Sequence, residues 1–175
     1  MRTTKEILTD LGSLYLAQVM LHVDSMNMCQ SLGYNGLKRF HRCKVKEFNN
    51  YLICLENKSI DYWGIPLTNV KADETHKPSS IMNHASSMLE KLEMYLKKLS
   101  QYNNEFMQLH GTTAPDAECA IKSTFKVMEK YRRIIKRYEE IGNHATAIHD
   151  LHTWDDRLHD KIKKYEDSLK ENRRN

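Results

Sequence analysis

The chain has 175 residues, enough for one domain over 1–175 with a sizeable core, and its 6 glycines and 3 prolines are too few for the many tight turns of an all-β fold. Charged residues make up 29% and hydrophobic residues 40%, the balance of an ordinary globular domain rather than a disordered or fibrous chain. The formal net charge of +4 is too mild to mark a dedicated nucleic-acid binder, which concentrates more positive charge on one face.

Apolar residues recur at three- and four-residue steps along most of the chain, the period of amphipathic helices. The first stripe is Ile7, Leu11, Leu14, Leu21 and Met28, with Gln18 and Ser25 as polar interruptions on the same face. Leu32-Gly-Tyr-Asn-Gly36 breaks it, as Gly and Asn do. A second helix carries Leu37, Val45, Phe48, Leu52 and Leu55. From about Asp61 to Ser80 the period vanishes, and Gly64, Pro66 and Pro78 fall there, so this stretch reads as a long connection within one domain.

The third stripe, Leu89, Leu92, Leu96, Leu99 and Phe106, ends at His110-Gly111, with Gly111 as C-cap and Pro115 as a stop. A fourth helix is predicted from about Pro115 to Leu151 through Phe125, Met128, Ile134, Tyr138, Ile141, Ala145 and Ile148. After Asp155 a short, very polar fifth helix keeps only Leu158, Ile162 and Leu169 apolar. Four long helices with one connection long enough to cross the bundle predict an all-α, ferritin-like four-helix arrangement: two antiparallel hairpins joined by a crossover between the second and third helices.

The longest apolar run, Leu14 to Val23, is about half of what a membrane span needs and carries Gln18 and His22, so no membrane association is expected. The N-terminal Met1–Glu6 has no apolar signal core. Cys29, Cys43, Cys54 and Cys119 form no CxxC pair, which argues against a zinc knuckle or redox dithiol and for reduced, partly buried thiols in the cytoplasm.

The residues resemble ferritin proper over nearly the whole chain. Glu140-Ile-Gly-Asn-His-Ala-Thr-Ala-Ile148 resembles the family's E-L-G-D-H-V-T-N-L stretch, and Tyr102-Asn-Asn-Glu-Phe-Met-Gln-Leu-His110 looks like the end of its third helix. Leu14-Tyr15 with Val19 and Leu21 is similar to L-Y-x-x-x-V-x-L in the first helix. Leu37-Lys-Arg-Phe-His-Arg is similar to F-A-K-F-F-R in the second. Gly64-Ile-Pro-Leu-Thr-Asn-Val70 resembles the extended segment of the crossover, with Trp63 in place of the first of two glycines.

The iron chemistry of that family needs a Glu from two helices and Glu-x-x-His motifs, because iron takes carboxylate oxygens plus imidazole. This chain contains no Glu-x-x-His. Aligned on the family, the ligand positions fall at Ser13, Phe48, Tyr51, Leu99 and Ile134, and of the carboxylates in the second-helix motif only Glu47 is kept, a remnant metal ligand. The resemblance therefore implies no ferroxidase activity and no cofactor at a di-iron site, with iron mineral only inside a shell. The family's acidic pore positions fall at Thr124 and Val127, while His110 near the same pore is retained, and the mineral-nucleating cluster keeps Glu47 among Cys43, Lys46 and Asn50.

Two further constellations stand outside the resemblance. His149 and His152, three apart, share a helix face with metal-ligand spacing near His144 and His159, and Asp156 with His159 forms a similar pair; a polar surface is the plainer reading. Lys126, Lys130, Arg133 and Arg137 share one face beside Tyr131 and Tyr138, but Glu129, Glu139 and Glu140 dilute it, so a solvated or subunit-contact face is favoured over nucleic acid. The function expected is a non-catalytic subunit contributing structurally to an iron-storage shell, alone or with an active ferritin subunit, and self-associating as a two-fold dimer. Lys161, Lys163 and Lys164 crowd the turn of Leu158 and Ile162, with Asp155, Asp156 and Asp160 as partners for them on a neighbouring copy. The alternatives are a repurposed scaffold or interaction protein without an iron role and, more weakly, a basic nucleic-acid binder.

Overall fold

The computed structural model describes residues 2–67 and 80–172. Five α-helices account for almost all of them: α1 (Thr4–Ser31), α2 (Asn35–Trp63), α3 (Ile81–His110), α4 (Ala117–Ile141) and α5 (His144–Asn172). The all-α expectation is met. No helix among the described residues is long and apolar enough to cross a membrane.

The helix ends follow local chemistry. Thr3 and Glu6 form a reciprocal capping box at the start of α1, and Ser80 caps α3 by accepting from the Asn83 N–H at 3.1 Å. α2 and α3 both stop on a left-handed glycine, Gly64 at φ 62° and the predicted Gly111 at φ 68°.

Chain direction follows from which residues meet. The short links at 32–34 and 111–116 make α1–α2 and α3–α4 antiparallel hairpins. His41 lies 6.4 Å from His84 and Trp63 lies 5.4 Å from Phe106, ring centre to ring centre, so α2 and α3 run parallel. A helix the length of α2 spans about 43 Å, and the Gly64–Ser80 connection, at roughly 3.3 Å per residue, can return that distance. Positions 68–79, which include Pro78 and the end of the 64–70 stretch, lie outside the described residues. α1 also packs on α3, and α5 lies against α2 and α4.

The core takes Ile7, Leu11, Leu14 and Tyr15 from α1, Phe48 and Leu55 from α2, Leu92, Leu99 and Phe106 from α3, and Val127, Tyr131 and Ile134 from α4, among others. Gln18 and Ser25 are buried with them. Phe125, counted in the fourth stripe, is instead 45% exposed.

The predicted fourth helix to Leu151 and short fifth helix after Asp155 are corrected. α4 ends at Ile141, because Gly142 adopts φ 64° and Asn143 restarts the chain, its Oδ1 accepting from the Thr146 N–H at 3.2 Å. α5 is as long as α2. Ile141, Ala145 and Ile148 keep three- and four-residue spacing across the break, so periodicity is blind to it.

α5 is tied down by one buried carboxylate. Asp155, 1% exposed, accepts from the Gly36 N–H at 2.7 Å and the Leu37 N–H at 2.6 Å, capping α2, whose own N-cap residue Tyr34 makes no side-chain cap. A Cβ on Gly36 would sit 2.1 Å from the Asp155 carbonyl oxygen, so only glycine admits this approach. The expectation that Asp155 pairs with lysines of a neighbouring copy is thereby corrected: it is consumed within its own chain.

Candidate functional site

At one end of the bundle the core turns polar. The stripe of α1 continues through Gln18, His22, Ser25 and Cys29; that of α2 places His41 two turns before Phe48; α3 supplies His84 and α4 supplies Tyr131. Each is the inward residue of its helix at this level, and all of His22, His41, His84, Tyr131 and Cys29 are buried.

The rings form a chain of contacts. His22 Nδ1 lies 3.0 Å from His41 Nδ1, His41 Nε2 lies 2.6 Å from the Tyr131 hydroxyl, and the same hydroxyl lies 2.9 Å from His84 Nε2. Tyr131 can donate to one histidine only while accepting from the other, so the chain has two proton orders running in opposite directions. In both, His22 Nε2 is buried with no hydrogen-bond partner among the described residues.

Burial decides the charge states. It pulls His22 down to about 3, helped by the nearby Lys44, and His84 down to about 4. His41 lies well below the usual histidine range through burial, then through His22 and His84. Burial likewise holds the Tyr131 phenol well above its ordinary value and, with the Asp155 charge, pushes the Cys29 thiol up to about 12. At neutral pH these are neutral imidazoles, a phenol and a thiol. Cys29 is no nucleophile in that state, because thiolate is the reactive form.

Among the described residues, one group of histidine, cysteine or carboxylate donors converges with metal-ligand geometry: Cys29, His41 and His84 each present a donor atom, all within 4.8 Å of one another. The signal in the sequence was polar rings at core-facing steps on separate helices. Only the fold shows that they share one level.

Three of the five predicted iron-ligand positions lie in the core, while Ser13 and Tyr51 are half-buried. Phe48 and Leu99 are fully buried and Ile134 is 1% exposed, while Ser13 Oγ donates to the Thr9 carbonyl at 3.0 Å. Glu47 is held by Lys44 Nζ at 2.7 Å and by the Tyr51 hydroxyl at 2.7 Å. Burial raises its pKa, but these two partners outweigh that and leave it below the ordinary value. Thr124 and Val127, assigned to a pore, are instead fully buried, Thr124 donating to Gln18 Oε1 at 3.0 Å; neither lines a channel. His110 meets Thr4 Oγ1 at 2.8 Å and ties α3 to α1.

Of the predicted histidine pair, His152 stacks on Tyr34 at 4.3 Å, while His149 is exposed. The basic face of α4 divides. Arg137 pairs with Asp150 at 2.7 Å, whereas Lys126, Lys130 and Arg133 join Arg157, Lys161 and Trp154 of α5 around a cleft of about 350 Å³. Lys130 lies 4.7 Å from the Phe40 ring centre, and burial, then Arg133 and Lys161, lowers it to about 8.

No protein-family model matches this chain, and no curated protein matches it.

Proposed function

We propose that this chain is a ferritin-like subunit without a ferroxidase centre, contributing structurally to an iron-storage shell in the cytoplasm. The observation that carries the reading is the filled middle of the bundle. Phe48, Leu99 and Ile134 pack where the resemblance puts iron ligands, and the retained Glu47 is neutralised by Lys44. The parallel run of α2 and α3, which requires a crossover, supports the ferritin-like arrangement. Ile53 and Ile60, 48% exposed on one outward face of α2, support self-association, with an active ferritin subunit as the complementary partner. The four cysteines are unpaired, as suits a reducing compartment.

A second reading, a scaffold or interaction protein that joins no shell, is favoured by α5. Its Ala147, Leu151 and Asp155 are buried in its own chain, and Leu158 packs on the same core, so little of this face is left for contact with another copy. Native mass and iron content, measured together on protein from its source, decide between the two. A large iron-containing assembly supports the shell subunit; an iron-free monomer or dimer supports the scaffold. In either case ferrous oxidation should not exceed the buffer rate, and saturable oxygen consumption with Fe(II) would overturn both.

A further inference from the structure

We propose that Cys29, His41 and His84, with the Tyr131 oxygen as fourth donor, form a zinc(II) site in the polar end of the bundle. This goes beyond the shell or scaffold reading and does not depend on either.

Four observations converge. One donor comes from each of α1, α2, α3 and α4, the way a bundle builds an interior metal site. The set is a thiol, two imidazoles and a phenol with no carboxylate, which suits a borderline-soft ion and not calcium or magnesium. The Nε2 atoms of His41 and His84 both address the Tyr131 oxygen, at 2.6 and 2.9 Å, and around a tetrahedral ion these atoms part by about half an ångström, while the Cys29, His41 and His84 donor atoms, within 4.8 Å of one another, draw in by about one. Behind His41, on its Nδ1 side, His22 stands 3.0 Å away in position to accept that N–H and fix the tautomer that leaves Nε2 free for metal.

The charge balance also closes. On binding, the Cys29 S–H and Tyr131 O–H each lose a proton to solvent, and bonds from zinc to sulfur and to oxygen replace them. Thiolate and phenolate together cancel the dication, so no net charge is left in a site that Lys44 and Lys130 already border. Because the donors are buried, the ion enters as the helices assemble, and binding is coupled to folding.

The test uses the full chain, unfolded with a chelator present, then refolded with or without zinc. One zinc per chain should survive desalting, and the zinc-loaded protein should melt higher than the chelated one. Cobalt(II) refolded in place of zinc should give a thiolate-to-cobalt charge-transfer band in the wild-type protein, a readout that needs no variant to fold. C29S and H84A should each lower zinc affinity at least about tenfold, whereas H149A with H152A should leave it unchanged. Absence of stoichiometric zinc at about 10 µM, cobalt binding without the thiolate band, or undiminished binding by folded C29S would each overturn the site.

Discussion

Phe48 and His41 stand two turns apart on the same face of α2, both fully buried, yet they belong to different kinds of core. Phe48 offers no polar atom: its ring lies 5.5 Å from Tyr51 and 5.6 Å from His22, centre to centre, in the cluster that also holds Leu99 and Ile134, and its stability comes from surface removed from water. Around His41 the contacts are polar and directional: His22, Tyr131 and His84 satisfy one another in a line, and each satisfied atom avoids a desolvation cost rather than adding much net attraction. The apolar region tolerates any filling of the right volume. The polar region tolerates only matched partners, and among the described residues His22 Nε2 has none.

The largest expected effect separates the two regions by pH. In metal-free protein held in chelator, the unfolded histidines take up protons below their ordinary value of 6.5, while folded His22 and His84 stay neutral down to about 3 and about 4. Their folded pKa values are depressed, so stability is full above about pH 6.5 and is lost as pH falls, by about 1.4 kcal/mol per pH unit for each buried histidine. Urea unfolding midpoints between pH 7 and 4.5 should fall steeply. A flat profile would mean that the imidazoles are already charged or solvated.

Next comes the apolar region. Phe48→Glu should cost on the order of 3 kcal/mol or more, since it buries a carboxylate, and Lys44, one helical turn earlier, is already held by Glu47. A melting temperature unchanged by the substitution would place Phe48 outside the core. Gly36→Ala should cost about 2–3 kcal/mol, because the new Cβ drives Asp155 and α5 away from the start of α2. Thermal melts read this directly, and wild-type stability in the variant would show that α5 docks elsewhere.

Tyr131→Phe should have the smallest effect, about 1–3 kcal/mol, by leaving His41 Nε2 and His84 Nε2 without their shared hydroxyl. It should also make the acid-induced loss of stability begin at higher pH, because room opens for water beside the imidazoles. A variant with wild-type stability and wild-type pH dependence would show that the hydroxyl contributes nothing to the polar region.

Much of this was legible in the chain itself. The apolar stripes, the Gly-rich break after α1, the C-cap at Gly111 and the inward position of Gln18 and Ser25 all follow from residues within a few positions of one another. So does the chemical poverty of the predicted iron site, since Phe48, Leu99 and Ile134 are apolar wherever they fall. The end of α4 was also written locally, in Gly142-Asn143, but the apolar spacing on either side ran through it and carried the helix too far.

Three features were settled only by the tertiary structure, for one physical reason: each joins residues far apart in sequence whose individual signals are weak. Asp155 reads as one acid among several on a polar helix until α5 folds back and sets it on the open N–H groups of α2. Thr124 and Val127 read as pore positions until α4 turns both into the core, where Thr124 meets Gln18 of α1. His22, Cys29, His41, His84 and Tyr131 are scattered polar residues in four separate stretches of sequence. Periodicity shows that each faces inward, but only the relative heights of four packed helices bring them within a few ångströms and make them one site.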